Sequence, residues 1–365
     1  EAREGGLPYH KFGHGDMVII SRARPWGEKV VEGVVLDTNN RRIRVIVAEK
    51  PGDIKKGGWR LDKGANRVAH DRMHEALISF HSTEGDGGTV LRDLLLCQPH
   101  DLESSAAMRP EIHGQKPRPI NLDGMILDSS QKEAIENAAL QRLTLIQGPP
   151  GTGKTHTAVH LLKAVIEMGR GPILACAESN VAVDNLLEGL LNIGVKAVRF
   201  GKPVKVRESL REVTLDALSA KHPKQDEIAF IQEEMDGIKA KLNDLKGKER
   251  GLAHRDINKN YREIRDLESR IINDVLSGAE VLCTTNIGAG HFTLQDRKFP
   301  IVLIDEATQA SEPSSLVPIV KGARQLILVG DHRQLPPTVI SQNAEDGGLN
   351  IPLFERLIDD GIPSH

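Results

Sequence analysis

The residues best suited to do chemistry lie in one glycine-rich run, Gly148-Pro149-Pro150-Gly151-Thr152-Gly153-Lys154-Thr155-His156. This run follows an apolar segment, Leu143 to Gln147, and leads into a helical one, His156 to Met168. Glycines allow successive backbone N–H groups to surround a phosphate, and the N-terminus of a helix adds a positive dipole. The lysine of such a loop neutralises the β- and γ-phosphate oxygens, and the hydroxyl ligates magnesium. The run therefore predicts a P-loop that binds ATP with Mg²⁺, in preference to a simple glycine turn.

Two consecutive carboxylates end a second apolar run. Ile301 to Ile304 predicts a buried strand, and Asp305 and Glu306 follow it directly. Because ligands bind at the carboxyl edge of a parallel sheet, we expect both side chains to lie near the P-loop. Asp305 suits magnesium, held directly or through water, and Glu306 suits a general base that orients the attacking water. Acidic residues after a strand also cap helices, so this assignment depends on the P-loop.

A third polar cluster follows the apolar run Leu326 to Val329. It comprises Gly330-Asp331-His332-Arg333-Gln334-Leu335-Pro336-Pro337. At the end of a neighbouring strand, Gln334 could lie within reach of the γ-phosphate, so that the nucleotide state would affect whatever Pro336 and Pro337 contact. Gly-Asp and Pro-Pro pairs are also common turn formers, and the cluster is informative only beside the other two.

One parallel sheet is predicted to position these three clusters. Short apolar runs at 143–147, 173–177, 281–284, 301–304 and 326–329 alternate with longer helical or irregular segments, as in a doubly wound α/β domain. Between 221 and 275 two apolar stripes with helical spacing interrupt this alternation: Ile228, Ile231, Met235, Ile238, Leu242 and Leu245, then Ile257, Tyr261, Ile264, Leu267, Ile271 and Val275. We expect an antiparallel helical hairpin that turns at Gly247 and Gly251, with most of its charges on solvated faces.

The first part of the chain has the pattern of a small antiparallel β-barrel. Short β-branched runs at 17–20, 30–36 and 43–47 alternate with turn residues, including Asp37 to Asn40. Val68 to Phe80 then predicts a helix, and Pro99, Pro110, Pro117 and Pro119 mark a linker. The predicted domains are a barrel at 1–67, a helical stalk and linker at 68–120, a P-loop domain at 121–220 and 276–365, and a helical insertion at 221–275.

Composition limits the class of protein. With 365 residues, of which 39% are hydrophobic and 27% charged, the chain is long enough for two or three domains. No apolar run approaches the roughly 20 residues of a membrane span, and Glu1 to His10 does not resemble a signal peptide. Cys97, Cys176 and Cys283 are too widely spaced to indicate disulfides or a zinc site. The net charge is −3 but His10 to Phe80 is locally basic, and we expect an intracellular protein, cytoplasmic or nuclear, without a membrane partner.

The motifs occur in the order found in superfamily 1B helicases. In sequence order, Asp128-Ser129-Ser130-Gln131, the P-loop, Glu178 to Asn185, Cys283-Thr284-Thr285, Asp305 to Gln309 and Gly330 to Pro337 resemble the Q motif and motifs I, Ia, Ic, II and III. The resemblance is closest to the nonsense-mediated-decay helicase family and its immunoglobulin-mu-binding-protein branch. That branch also has a β-barrel before the motor domain and a helical insertion after motif Ia. The resemblance implies a RecA-like P-loop domain and an ATP-dependent helicase or translocase that moves 5′ to 3′ on single-stranded DNA or RNA.

The resemblance also implies roles for individual residues. Gln131 would contact the adenine, and Gln334 would sense the γ-phosphate. Lys154 and Thr155 would hold phosphate and magnesium, with Asp305 and Glu306 serving the metal and the water. The sugar-phosphate backbone of the single strand would be contacted by Ser179, Asn180, Thr284, Thr285 and Pro336. Glu178 departs from the family pattern, which has proline at this position.

The family further predicts a second RecA-like domain that this chain does not contain. Motifs IV, V and VI, with the arginines that complete the ATP site, would lie there, whereas only residues 338–365 follow Pro337. We therefore expect the front half of a motor, with little or no turnover on its own. A ring-forming P-loop ATPase and a non-catalytic, nucleotide-switched binding module stay open as alternatives. Gln309 and the cluster from Gly330 to Pro337 favour the helicase, and the sequence does not identify protein regulators.

Overall fold

The chain forms two compact units, Glu1–Asp71 and Arg72–His365, in a computed structural model. The structure describes residues 7, 10–13, 16–22, 30–39, 42–47, 58–64, 67–82, 89–96, 119–242 and 244–365. Cys97 and most of the predicted linker, including Pro99, Pro110 and Pro117, lie outside the described residues. Within the described part, no helix combines the length and the apolar character needed to span a membrane.

The first unit contains an antiparallel sheet among its described residues. Its strands are β1 (Met17–Ser21), β2 (Val31–Asn39), β3 (Arg42–Val47) and β4 (Arg60–Lys63), in the order β3-β2-β1-β4. The three predicted strands are confirmed, but β2 continues through Asp37 to Asn39, which the sequence assigns to a turn. Among the described residues the outer strands β3 and β4 do not pair, so the structure shows an open sheet there rather than a closed barrel.

The second unit is built on a six-stranded sheet in which every neighbouring pair is parallel. Its strands are β5 (Leu143–Gln147), β6 (Ile173–Ala177), β7 (Ala197–Arg199), β8 (Val281–Thr285), β9 (Ile301–Asp305) and β10 (Gln325–Gly330), in the order β5-β10-β9-β6-β8-β7. Nearly all of their residues are buried, as in a sheet covered on both faces. The five predicted strands are confirmed, and β7 is a sixth. All carboxyl ends meet at one edge, which is where the predicted motifs lie.

Helices cover both faces of this sheet and confirm the doubly wound α/β fold. The described helices are α1 (Val68–Ser82), α2 (Thr89–Leu96), α3 (Ser129–Leu140), α4 (Lys154–Glu167), α5 (Asn180–Asn192), α6 (Leu215–Ala220), α7 (Gln225–Lys241), α8 (Gly247–Ser277), α9 (Asn286–Ala289), α10 (Glu312–Ile319), α11 (Gln342–Asp346) and α12 (Leu353–Asp359). One hydrophobic core contains Leu162 of α4 and Leu187 of α5. The other contains Leu316 of α10 and Phe354 of α12.

The predicted helical hairpin is confirmed as α7 and α8, which pack in a hydrophobic cluster of their own. The cluster contains Ile228, Ile231, Met235, Ile257, Ile264, Leu267 and Ile271. Two details of the prediction are wrong. Tyr261 is 49% exposed, because the buried positions of α8 advance by alternating steps of about three and four residues and include Asn260 instead. Gly251 lies inside α8 rather than in the turn.

The predicted helix at Val68 is confirmed as α1, but only some of its apolar residues at helical spacing are buried. Ala76 is buried, and Met73 and Phe80 pack against the same core. Val68 and Leu77 are 46% and 44% exposed, so the sequence overestimates the width of the apolar face. The short helix α2, which falls before the linker, is not apparent in the sequence.

Candidate nucleotide and nucleic-acid site

The predicted P-loop forms a tight turn between β5 and α4. Gly151 and Gly153 have φ angles of 82° and 81°, in the left-handed region that glycine enters without a steric penalty. At Gly148 a Cβ would lie 2.5 Å from the Thr152 hydroxyl, so a side chain there would displace the turn. That hydroxyl donates to the Pro149 carbonyl at 2.8 Å and stabilises the loop. Each of the three glycines therefore has a steric reason for its position.

Lys154 begins α4, and its ammonium bends back over the loop. The Nζ donates to the Gly148 carbonyl at 2.9 Å, and the side chain is half-buried. Lys154 acts electrostatically on both Asp305, which ends β9, and Asp331, which follows β10. The structure thus brings together the ends of β5, β9 and β10, as the sequence predicts.

Asp305 is buried, with 1% of its surface exposed, and both of its carboxylate oxygens are engaged. Oδ2 accepts a hydrogen bond from the Thr155 hydroxyl at 2.9 Å, and Oδ1 accepts one from the Glu306 backbone N–H at 3.0 Å. Burial raises the pKa of Asp305 from its ordinary 3.8 to about 6, and the charge of Glu306 adds to this, whereas the Thr155 hydrogen bond opposes it. A cation bound beside this carboxylate would favour its ionised form.

Glu306 has an unusual backbone conformation. Its φ and ψ are 51° and 42°, and among the described residues it is the sole non-glycine residue with positive φ. A left-handed conformation of this kind costs a residue with a Cβ on the order of 1 kcal/mol, and such strain tends to occur at functional sites. Gln309 Nε2 lies 3.4 Å from Glu306 Oε2. The turn therefore places a half-buried carboxylate directly after the buried Asp305.

The cluster after β10 is organised around Asp331. Gln334 Nε2 donates to Oδ2 of this carboxylate at 3.0 Å, and the Arg333 backbone N–H donates to Oδ1 at 3.1 Å. The Gln334 hydrogen bond is the main reason that the pKa of Asp331 is lowered, with smaller contributions from the Arg333 N–H and from Lys154. Gln334 is thereby positioned in the same neighbourhood as Lys154, although its contact with a γ-phosphate stays a prediction.

Gln131 is attached to the P-loop by its side chain. Its Oε1 accepts from the Asp128 backbone N–H at 3.1 Å, and the Asp128 carboxylate accepts from the Gln131 N–H at 2.8 Å, which forms a capping box at the start of α3. Its Nε2 donates to the Thr152 carbonyl at 3.2 Å. The Nε2 atom of His156 lies 3.0 Å from the carbonyl oxygen of Ile126. Two contacts thus join the first turn of α3 and the segment before it to the P-loop run.

Ser179 and Asn180 lie where β6 gives way to α5. The exposed Ser179 is the N-cap of α5, and its hydroxyl accepts from the Ala182 N–H at 3.1 Å. Asn180 Oδ1 accepts a hydrogen bond from Nη2 of Arg199 at 2.9 Å. Because the amide oxygen faces Arg199, the amide NH₂ of Asn180 is left to donate elsewhere.

Arg199 is a positioning residue that sequence reasoning missed. It is 1% exposed, its Nε donates to Asp184 at 2.9 Å, and its Nη1 donates to the Phe200 carbonyl at 2.6 Å. The other Asp184 oxygen accepts the Arg207 N–H at 2.8 Å. The sequence signal that could have indicated its burial is a single arginine within the apolar run Ala197-Val198-Arg199-Phe200. This buried ion pair fixes α5 and the side chain of Asn180 beneath the carboxyl edge.

Thr284 and Thr285 have different environments at the end of β8. Thr285 is half-buried and caps α9, since its hydroxyl accepts from the Gly288 N–H at 3.1 Å. Thr284 has no exposed surface, and its hydroxyl has no hydrogen-bond partner among the described residues. It lies directly under Gly288, where a Cβ would approach Thr284 Oγ1 to 2.3 Å. In this structure only Thr285 of the pair has surface to offer to a nucleic acid.

A groove of about 740 Å³ joins the ends of β6, β9 and β10. Its lining includes Glu178, Gln309, Ser311, Arg333, Gln334 and Pro336. Pro336, which was predicted to contact the single strand, is exposed here beside Gln334, which was predicted to sense the nucleotide. The groove therefore brings one predicted strand contact next to the predicted phosphate sensor.

The oxygen atoms near the P-loop fit a small hard cation. The Thr155 hydroxyl and the Asp305 carboxylate are 2.9 Å apart, and Mg²⁺ is commonly bound by one or two such protein oxygens together with substrate phosphates and water. Among the described residues no group of three or more His, Cys, Asp and Glu side chains is placed to hold a metal alone. The donor set is therefore of the kind that would bind magnesium as a nucleotide complex.

Comparison with known proteins identifies a matching family and several similar proteins. A protein family described as an AAA domain matches residues 126–342, which is more than half of the chain. The chain is 33% identical, over 96% of its length, to the DNA polymerase alpha-associated DNA helicase A of Schizosaccharomyces pombe. It is 34% identical over 97% of its length to the DNA-binding protein SMUBP-2 of Mesocricetus auratus. It is 42% identical over 80% of its length to the ATP-dependent helicase NAM7 of Saccharomyces cerevisiae.

These relatives are of the kind that the motif order predicts. The chain spans 53% of the Schizosaccharomyces pombe protein, 35% of SMUBP-2 and 28% of NAM7. The similarity therefore concerns about half of the first relative, about a third of the second and little more than a quarter of the third.

Proposed function

The chain belongs to the AAA-domain family, and on that premise we propose that it is the ATP-binding half of a helicase that moves along single-stranded nucleic acid. Its relatives include a DNA helicase and an ATP-dependent helicase. The observation that carries the proposal is the convergence of Lys154, Thr155, Asp305 and Glu306 at one edge of the sheet. The same edge presents capped turns on the next two strands of the sheet, at the ends of β6 and β8. A ring-forming ATPase would not account for that second set.

The ATP site follows from the chemistry of the converging residues. The P-loop N–H groups and the Lys154 ammonium would bind the phosphates, since both favour negative charge at the N-terminus of α4. Glu306 would accept a proton from the attacking water and orient it. Gln334, held by Asp331, would donate to the γ-phosphate, and Gln131 would contact the adenine.

Magnesium is proposed as the partner of ATP. The Thr155 hydroxyl and the Asp305 carboxylate are the residues that would hold it. When bound, Mg²⁺ neutralises charge on the phosphate oxygens. The burial of Asp305 supports this role, because a carboxylate whose ionised form is disfavoured gains most from a bound cation.

The single strand would lie along the carboxyl ends of β6, β8 and β10. Ser179, Asn180, Thr285 and Pro336 would contact its sugar-phosphate backbone, which allows movement over any sequence. Thr284 would take part only if the α9 turn above it moved. Movement from 5′ to 3′ and work in the cytoplasm or nucleus also belong to this proposal, on the strength of the family resemblance.

ATP turnover by the natural full-length protein separates the proposed function from its two alternatives. We expect single-stranded oligonucleotides to stimulate turnover at least tenfold, because strand and γ-phosphate would be coupled through the cluster after β10. A ring-forming ATPase would turn over ATP equally well without the strand. A nucleotide-switched binding module would bind the strand without turnover. Either of these two results would contradict the helicase proposal.

A matched pair of lysine variants supplies the control for this assay. Lys154→Ala removes the phosphate-binding charge and should abolish stimulated turnover. Lys163→Ala makes the same change about two and a half turns further along α4, where Nζ lies 3.5 Å from the Ile193 carbonyl, and should leave turnover unchanged. Equal loss in both variants would indicate that α4 was damaged rather than that the ATP site was lost.

A further inference from the structure

Glu178 lies in the proposed strand groove, where a negative charge is unexpected. It follows β6 directly, precedes Ser179, and lines the groove together with Arg333, Ser311 and Pro336. Phosphates passing through this groove would be repelled by a carboxylate and attracted by the arginine. A groove with both charges therefore requires an explanation beyond phosphate binding.

The Glu178 carboxylate is held firmly by groups from two other elements. Its Oε2 accepts a hydrogen bond from Asn286 Nδ2 at 3.0 Å and another from the Ser314 hydroxyl at 2.7 Å. Asn286 is the first residue of α9, and Ser314 lies in α10. Oε1 accepts no hydrogen bond from the described residues. One oxygen is thus anchored, while the other is an oriented acceptor on a half-buried side chain.

Because a nucleic-acid strand carries no cations of its own, a fixed carboxylate can contact it favourably only by accepting a hydrogen bond. The donors on the bases differ from base to base, so a contact that is independent of sequence must be made to the backbone. The backbone of DNA consists of phosphate and deoxyribose, which offer acceptors alone. The ribose 2′-hydroxyl is the single donor that a nucleic-acid backbone provides, and it distinguishes RNA from DNA at a given site. Arg333 is exposed in the same groove and suits an adjacent phosphate. The pair therefore matches a ribonucleotide unit: a cation for the phosphate and an acceptor for the hydroxyl.

From this arrangement we infer that Glu178 selects RNA over DNA by accepting a hydrogen bond from a 2′-hydroxyl of the bound strand. The inference rests on the proposed function, because it assumes that a strand occupies the groove. It makes Glu178 a specificity residue rather than a residue of the ATP site. DNA would lose the hydrogen bond and keep the repulsion between the carboxylate and its phosphates.

The test compares three oligonucleotides of one sequence that differ only at the 2′ position. Oligouridylate carries the hydroxyl, its 2′-fluoro analogue keeps a ribose-like sugar without a donor, and oligodeoxyuridylate lacks both. Affinities of the full chain are measured by fluorescence anisotropy at one fixed salt concentration. We expect the wild type to bind the ribo strand about tenfold more tightly than either of the others, which is the usual size of one hydrogen bond to a charged group.

Glu178→Gln provides the decisive variant. The glutamine oxygen retains the acceptor for Asn286 and Ser314, so its NH₂ group takes the place of Oε1 and turns the acceptor into a donor. The ribo preference should fall to within twofold, mainly because the deoxy strand binds more tightly. Glu167→Gln makes the same substitution at an exposed position on the last turn of α4, at the opposite edge of the sheet, and should retain the tenfold preference.

Two negative outcomes are distinguishable. Tight binding of all three strands by the wild type, or a ribo preference unchanged in Glu178→Gln, would overturn the inference and leave the helicase proposal standing. Failure of the wild type to bind any of the strands would overturn both. A merely structural role of Glu178 would lower all three affinities together and leave their ratio unchanged, which would also overturn the inference.

Discussion

The two groups of strand ends at the carboxyl edge are held together in different ways. At β5, β9 and β10 the functional groups contact one another: the Thr155 hydroxyl donates to Asp305, and Lys154 acts on both Asp305 and Asp331. At β6 and β8 the groups proposed to contact the strand are held by separate local contacts. The buried Arg199 orients Asn180, whereas Ser179 and Thr285 cap α5 and α9.

This difference indicates how each group would respond to change. In the first group a substitution alters the chemistry of its neighbours directly, because charge and hydrogen bonds are shared among the reacting residues. In the second group the buried Arg199 orients the side chain of Asn180. We therefore expect substitutions at β9 to change turnover, and substitutions under β6 to change stability and strand binding together.

Glu306→Gln should give the largest effect. The amide keeps the shape of the side chain but cannot accept the proton of the attacking water, and loss of a positioned base costs between about 10² and 10⁴ in rate. ATP affinity should stay within twofold of the wild type, because the phosphate and metal contacts are unchanged. Single-turnover hydrolysis and equilibrium ATP binding in the natural full-length protein measure both quantities. Turnover within threefold of the wild type would remove Glu306 from the mechanism.

Arg199→Met should be strongly destabilising. It leaves the Asp184 carboxylate, 4% exposed, without its ion-pair partner, and breaking a buried pair in this way costs about 3 to 5 kcal/mol. The free energy of unfolding from urea denaturation measures the loss. The affinity for single strands should fall as well, because Asn180 loses the donor that orients its amide.

A second substitution separates the two effects of Arg199. The double variant Arg199→Met/Asp184→Asn has no unpaired buried charge, and its asparagine oxygen still accepts from the Arg207 N–H. Part of the stability should return while the affinity for single strands stays low. Full recovery of strand affinity together with stability would show that Arg199 serves the fold alone.

In the absence of ligands, Asp305→Asn should increase the free energy of unfolding. This increase should be smaller than the preceding effects and should depend on pH. Because burial raises the pKa of Asp305 from 3.8 to about 6, the folded state binds the proton more tightly than the unfolded state. The wild type therefore loses stability as pH rises through this range, whereas asparagine does not titrate. The advantage of the variant should be small below pH 4 and reach on the order of 3 kcal/mol above pH 7.

Urea denaturation at several pH values, without nucleotide or metal, checks this dependence. Magnesium-dependent ATP binding should weaken in the same variant, since a carboxylate ligand is lost. An advantage that does not change between pH 4 and pH 7 would contradict the assigned environment of Asp305.

The sequence predicts the first group of strand ends better than the second. The P-loop, Asp305 and Glu306 belong to contiguous runs whose strand, turn and helix signals are local, so both their identity and their meeting point follow from the sequence. The partners of Glu178 lie 108 and 136 residues away, in Asn286 and Ser314. No local pattern reports such pairs, because they depend on the order of strands in the sheet.

Burial at strand ends is similarly difficult to predict. Thr284 and Thr285 are adjacent and chemically identical, yet one is fully buried and the other is partly exposed. The difference arises from the α9 turn that folds over Thr284, a short element without a clear sequence signal. Tyr261 shows the same limit in α8, where a neighbouring asparagine takes the buried position.

The most direct test of separate nucleotide and strand sites measures the affinity of Lys154→Ala for each of the two ligands. Titrations with Mg²⁺-ATP and with a single-stranded oligonucleotide are compared for this variant and the wild type. Lys154→Ala should lose at least tenfold in ATP affinity, as expected for a charged hydrogen bond to phosphate, and keep its strand affinity within twofold. Unchanged ATP affinity in the folded variant, or an equal loss for both ligands, would contradict the assignment of Lys154 to a nucleotide site that is separate from the strand contacts.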